Sequence, residues 1–279
     1  MSIFDPRAKQ WRKDEAWVRE NGIPDFETVE DTEARHQRLV SSFYKYGPSV
    51  LAKGFAGCNA TGCRETCKTD ACHWQTRNQR LKAITSASRL FSKTKGPKYF
   101  VTLIRPEWQV APDRLYELKL PSIRKYLQEL LREAGVDLTV GSFEVSFNKQ
   151  LKGKPCWGGN VHLICAGAEK AALQDVLRVK PWPGCARPLQ IKDARNVTRC
   201  LGYCLKRFPH ERREYLDATG RRNRKPLPLQ PCILFDHDFW LAGVPAGSRT
   251  VLVGARQDAN GSIRRIGGRA NRRSRRETG

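Results

Sequence analysis

The chain has 279 residues and carries 51 Lys and Arg against 28 Asp and Glu, a formal net charge of +23. Hydrophobic residues make up 39%, with 7 Trp and 11 Phe, which is enough apolar material for a packed core and excludes a wholly disordered chain. The charge argues against an ordinary small-molecule enzyme and for a polyanionic partner, with nucleic acid ahead of an anionic membrane.

No apolar run reaches the ~18 residues of a membrane span. The opening residues MSIFDPRAKQWRKDEAW hold no apolar h-region, which predicts no secretory signal and a cytoplasmic setting. In that setting the ten cysteines are expected to be free thiols or metal ligands.

Residues 1–50 hold 8 Lys and Arg and 9 Asp and Glu, so the positive charge lies beyond them. Leu39, Val40 and Phe43 fall at helical spacing, and Gly47-Pro48 breaks the pattern. Residues 1–57 are therefore read as a helical segment, either a cap or a surface for a protein partner. Residues 58–73 are dense in cysteine. Residues 74–92 predict a basic amphipathic helix with Trp74, Leu81, Ile84 and Leu90 near one face, ended at Lys95-Gly96-Pro97. Residues 98–104 (KYFVTLI) predict a strand. Residues 121–134 predict a helix, with Pro121 in its first turn and Gly135 just past its end.

Two further strands are expected at 139–147 and 160–166. A short helix follows at 169–177 and a short strand at 188–191. A helix capped by Asp193 is expected to run to about Phe208. Residues 221–231 read as a basic, Pro-rich loop and 249–253 as a last strand. Residues 264–276 hold seven Arg and almost nothing apolar, which predicts a disordered basic tail. The expected fold class is α+β, with an antiparallel central sheet flanked by helices. The expected parts are 1–57, a Cys-rich knob with its basic helix at 58–96, a catalytic domain at 97–255, and a tail at 256–279.

Cys58, Cys63, Cys67 and Cys72 fall within fifteen residues, in the spacing C-x4-C-x3-C-x4-C. Four thiolates close a tetrahedral Zn²⁺ shell with no open position, which makes such a site structural. Lys53, Arg64, Lys68, Arg77 and Arg80 surround it, so a zinc-held basic knob resting on DNA is expected. His73 is the substitute ligand should one cysteine be absent.

In GSFEVSFN (141–148), alternation sends Phe143, Val145 and Phe147 one way and Glu144, Ser146 and Asn148 the other. In NVHLIC (160–165), Asn160, His162 and Ile164 share a face. Paired as a hairpin, the two strands bring Glu144, Asn160 and His162 together. An imidazole, a carboxylate and an amide oxygen suit Mg²⁺ or Mn²⁺; the alternative is a solvated polar face. On the helix after Asp193, Val197, Leu201, Cys204 and Leu205 form an apolar arc. Asn196, Arg199, Tyr203 and Lys206 lie almost opposite. Tyr203 is thereby offered away from the packing side, either as a nucleophile or as a snorkelling surface phenol.

Taken in this order, these pieces resemble the rolling-circle replication initiators, the HUH-type single-strand endonucleases. The match runs from a Cys-rich segment and basic helix (CHWQTRNQRLKAI) through FVTL (100–103) and SFEVSFN with Glu144. Asn160-Val161-His162 then stands in the place of the His-hydrophobic-His motif, and Tyr203-Cys204-Leu205-Lys206 closes the set. It covers about residues 58–253. The family's first metal histidine is Asn160 here.

The resemblance implies a metal-dependent endonuclease and strand transferase that starts rolling-circle replication of a plasmid or phage. It implies an origin of single-stranded or hairpin DNA and a catalytic Mg²⁺ or Mn²⁺ at Glu144, Asn160 and His162. Tyr203 is the implied nucleophile, giving a 5′-phosphotyrosine, and Lys206 the implied charge stabiliser. Host helicase and polymerase are the implied partners, with no membrane. Arg77, Arg80, Arg199, Arg264, Arg265, Arg272 and Arg273 are the expected nucleic-acid contacts. A transposase or relaxase shares this chemistry, and a non-catalytic zinc-dependent DNA- or RNA-binding protein is the alternative of a different class.

Overall fold

The computed structural model describes residues 6–59, 63, 68–151, 153–182, 185–206 and 208–266. Three helices come first: α1 (Pro6–Glu20), α2 (Val29–Tyr46) and α3 (Ser49–Ala56). Thr28 starts α2 through a capping box, its hydroxyl accepting from the Asp31 amide and its own amide donating to the Asp31 carboxylate. Leu39 and Phe43 of α2 bury against Phe55, Trp74 and Leu241. Val18 and Ile23 join the cluster beneath the sheet, so the N-terminal segment shares its core with the rest of the chain.

After α4 (His73–Ser92) the chain builds a seven-stranded sheet. Its strands are β1 (Lys98–Val110), β2 (Leu138–Lys149), β3 (Cys156–Ala166), β4 (Leu189–Asp193), β5 (Glu211–Leu216), β6 (Arg222–Leu227) and β7 (Thr250–Val253). The order is β4-β1-β3-β2-β5-β6, with β7 also on β2. β7 covers residues 139–142 of β2 and leaves the far end free, where β5 pairs in parallel at 147–149. The sheet is therefore mixed, which corrects the antiparallel expectation.

Helices α5 (Leu120–Glu133), α6 (Lys170–Val176) and α8 (Pro231–Ala242) contribute to the cluster on one face, around Phe143, Phe147, Trp157 and Leu163. Helix α4 and α7 (Val197–Cys204) cover the other, over Val140, Ile164 and Ala166. Central strands β2 and β3 are thus buried on both faces, including the face expected to be a solvated alternative.

Four local readings change. Asp193 ends β4, and α7 is capped by Asn196, whose side chain accepts from the Arg199 amide. The basic loop at 221–231 is the second arm of a β5–β6 hairpin. The segment PCILFDHDFWLA forms α8, with its proline in the first turn. Residues 256–265 are not tail: β8 (Ala255–Gln257) and β9 (Ile263–Arg265) form a hairpin. Ile263 is buried against α4, and its amide donates to Ser86 Oγ. Residues 267–279 of the expected tail, with Arg272 and Arg273, lie outside the described residues.

Candidate active site

Register brings the strand residues together. Glu144 lies opposite Asn160, and His162 sits between Ser142 and Thr102. Alternation places all five side chains on the face covered by α4 and α7. Burial is deep, with Glu144 7%, Asn160 3% and His162 4% exposed.

Hydrogen bonds fix the imidazole. Asn160 Nδ2 is 2.7 Å from His162 Nε2, and an amide nitrogen can only donate, so Nε2 accepts. The proton is then on Nδ1, which donates to Thr102 Oγ1 at 3.0 Å. Thr102 lies inside the FVTL run and orients the ring; it was not among the expected site residues. Burial lowers the His162 pKa to about 3, helped by Lys206 and Arg212, so the ring is neutral and ligand-competent.

Glu144 Oε2 is 3.9 Å from His162 Nε2. Its Oε1 is buried without a hydrogen-bond partner among the described residues. Burial pushes the Glu144 pKa up to about 7, against the pull of Lys206, Arg249, Arg212 and Arg80. A carboxylate with one unsatisfied oxygen, a neutral imidazole and an amide that offers its oxygen after half a turn together fit a hard divalent cation.

Tyr203 comes to this corner from α7. Its ring meets His162 edge to face with centroids 4.8 Å apart, and Phe100 completes a trio at 5.7 Å from Tyr203 and 5.8 Å from His162. Lys206, just past the helix end, holds Nζ 4.1 Å from the Tyr203 ring centroid. The two carbonyls that flank Tyr203 are both anchored. Ser142 Oγ donates to Cys204 O at 2.6 Å and Arg80 Nη2 to Gly202 O at 2.8 Å. These bonds satisfy last-turn carbonyls that the helix leaves open.

Arg80 is thus no DNA contact, which corrects the expectation. Its guanidinium also bonds Glu27 Oε2 at 2.6 Å and Asp25 O at 2.9 Å. Arg77 likewise bonds Glu27 O and Glu15, and each arginine is 1% exposed. Long cations on a basic helix looked like a nucleic-acid face; here they are tied to the acidic N-terminal segment instead. Arg199, Arg264 and Arg265 are exposed, and Arg264 pairs with Asp258 at 3.1 Å. Tyr215, the tyrosine that next follows Tyr203 in the chain, is exposed on β5 on the side opposite Arg212, away from the corner.

The thiols of Cys58, Cys63 and Cys72 lie within 4.8 Å of one another, a triad able to hold a metal ion. Cys67 lies outside the described residues. Cys58 and Cys72 sit in the hydrophobic cluster beside Phe43 and Trp74, so they form part of a packing hub rather than a projecting knob. Cys72 stands at the N-cap position of α4, and neighbouring Asp70 pairs with Arg249 at 2.9 Å. His73 points elsewhere, into a cavity with Arg35 and Asp238, and is no member of the triad.

Tyr203 and Lys206 line a cavity of about 510 Å³ together with Asp25, Phe26 and Asp31. No helix among the described residues is long and apolar enough to cross a membrane. Comparison of the chain with protein-family models, curated proteins and solved structures finds no match in any of the three.

Proposed function

We propose that this protein is a metal-dependent single-strand DNA endonuclease and strand transferase of the HUH type, which initiates rolling-circle replication of a plasmid or phage. The observation that carries this reading is the meeting of a phenol and a neutral imidazole, 4.8 Å between ring centroids, beside a buried carboxylate. Glu144, His162 and Asn160 are the residues that would hold Mg²⁺ or Mn²⁺. Such an ion supplies positive charge that polarises a phosphodiester.

The protein's own groups do the rest. Tyr203 is presented by a helix end tied down on both flanking carbonyls, so its phenol oxygen is held for attack on phosphorus. Lys206 sets an ammonium beside the phenol and beside the charge that grows on the phosphate oxygens. The strand keeps its ester energy as a 5′-phosphotyrosine and releases a 3′-OH for a host polymerase. The excess of cations draws a single strand or origin hairpin to the site. Zn²⁺ at Cys58, Cys63 and Cys72, with Cys67 as fourth ligand, is structural in this reading.

The test is a covalent adduct. The full chain is incubated with Mn²⁺ and a random pool of labelled single strands, then denatured and run on a gel. A labelled protein band that disappears in Tyr203→Phe supports the reading. Strand binding without any adduct marks the protein instead as a non-catalytic zinc-dependent nucleic-acid binder. An adduct that survives Tyr203→Phe and disappears in Tyr215→Phe moves the active site.

A further inference from the structure

Strand β5 brings a cation to the site that neither the Tyr203 helix nor the strand pair supplies. Arg212 lies opposite Asn148 in the β2–β5 register, on the same face as Glu144. Its guanidinium is half-buried, and among the described residues no carboxylate forms an ion pair with it. Its one hydrogen bond among the described residues runs from Nε to His210 Nε2 at 3.0 Å. His210 accepts there, so it is neutral, and burial together with Arg212 and Lys206 lowers its pKa to about 4. The bond fixes one edge of the guanidinium and, among the described residues, leaves the two terminal nitrogens for another partner.

The position of that partner follows from the cavities. A small cleft lined by Gln109, Asn148, Gly158 and Gly159 reaches Asn160. The cavity of about 510 Å³ reaches Tyr203 and Lys206, with Phe26 and Phe208 in its walls. Among the described residues, Arg212 alone lines both. Its charge is felt by Glu144 and His162, and that of Glu144 is felt in return. A half-buried cation with a free fork, placed between two cavities and beside a nucleophile, fits the non-bridging oxygens of a phosphodiester.

We propose that Arg212 binds the scissile phosphate of a single strand that runs from the cavity at Tyr203 across the guanidinium into the cleft at Gly158. This rests on the nuclease reading and names a further catalytic residue for it. In the step, the Tyr203 oxygen forms a bond to phosphorus and the P–O3′ bond breaks. The phenol proton is matched by the proton on the leaving 3′-OH, and nothing is oxidised or reduced. Arg212 stabilises the two non-bridging oxygens as their charge grows. The aromatic side of the Tyr203 cavity takes an unpaired base, which makes a single strand rather than a duplex the substrate.

The test uses the full chain and a fluorescein-labelled mixed-sequence single strand of about 30 nucleotides, without added divalent cation. Binding is followed against NaCl concentration. Arg212→Gln is expected to flatten the slope of log K against log salt by ~0.7, one phosphate's worth on a single strand, while Arg212→Lys keeps it. Adduct yield with Mn²⁺ is expected to fall about a hundredfold in Arg212→Gln, as for loss of one transition-state donor, with the thermal midpoint unmoved. An unchanged slope in a folded Arg212→Gln overturns the proposal. A wild type that forms no adduct overturns the nuclease reading, while the slope still decides the phosphate contact. Should Arg212→Gln not fold, phenylglyoxal footprinting of the wild type decides. Protection of Arg212 by saturating single strand supports the contact, and equal modification with and without strand overturns it.

Discussion

His162 and Tyr203 meet edge to face, 4.8 Å between ring centroids, although 41 positions separate them in the chain and one is on a strand and the other on a helix. Each ring is fixed from behind. Thr102 holds the imidazole from the neighbouring strand. Ser142 and Arg80 hold the helix that carries the phenol. Arg80 in turn is bonded to Pro24 O, Asp25 O and Glu27, so the N-terminal segment is part of the support of the site.

A prediction follows for Arg80. Arg80→Met leaves Glu27 buried without its partner and frees Gly202 O, and should cost about 3–5 kcal/mol of stability. Glu27→Gln in the same chain should return part of it. The salt dependence of DNA binding should not change in the folded fraction, because this guanidinium is not on the surface. Urea unfolding and a salt titration check both halves. A flatter salt slope with unchanged stability would restore Arg80 as a DNA contact.

Alternation alone made Glu144, Asn160 and His162 legible, because period-2 patterning in two adjacent strands survives whatever covers them. Helix periodicity set Tyr203 away from the packing side of α7, whereas its ring packs on His162 and Phe100 of the sheet that the helix covers. Tertiary partners were not legible. Arg77 and Arg80 look like any cations on a basic helix until the acidic segment 25–27 folds over them. The β5–β6 hairpin was missed because ERREYL and RNRKPL carry no apolar alternation. They pair at a sheet edge, where ion pairs such as Glu211 with Lys149 and Arg213 replace a core. Ile263 shows the same limit: one apolar residue among arginines reads as tail, yet it fills a gap beside α4.

The cysteine triad leads to a second prediction. The purified chain should carry about one Zn²⁺, read by atomic emission. Cys63→Ser and Cys72→Ser should lose it, while Cys165→Ser, buried in the sheet core, should keep it. Because Cys72 stands at the N-cap position of α4 and α4 carries Arg80, chelation should also lower the thermal midpoint. A full zinc load in Cys63→Ser and Cys72→Ser would place the ion elsewhere.

Stability should fall on mild acidification. Burial lowers the pKa of His237 and brings that of His210 to about 4, below the ~6.5 of an unfolded histidine. Between those values the unfolded chain binds more protons than the folded one. The stabilisation is therefore fully present above about pH 6.5 and is lost progressively as pH drops toward 4. Denaturation midpoints at pH 7.5 and 5.0, at constant salt, should show the lower value at 5.0. Equal midpoints would mean that these rings are charged in the fold.

The metal corner yields the last prediction, in two opposite directions. Asn160 faces Glu144 across the strand pair and donates to His162 Nε2, the lone pair a cation needs. Ion binding must first break that bond and turn the amide. Asn160→His exchanges this donor for a second imidazole, a stronger ligand for Mn²⁺ than an amide oxygen. Affinity for Mn²⁺, measured by calorimetry on the zinc-loaded chain, should rise about tenfold. Thr102→Val should act the other way. It removes the acceptor that fixes the His162 tautomer and ring plane, and losing such an outer-shell partner typically costs about 10–100-fold in metal affinity. The two changes lie on different strands and touch different nitrogens of one imidazole, so circular dichroism should show an unchanged fold in both. Weaker Mn²⁺ binding in Asn160→His, in a folded chain, would mean that the amide is required at this position and that the corner is not a degenerate two-histidine site.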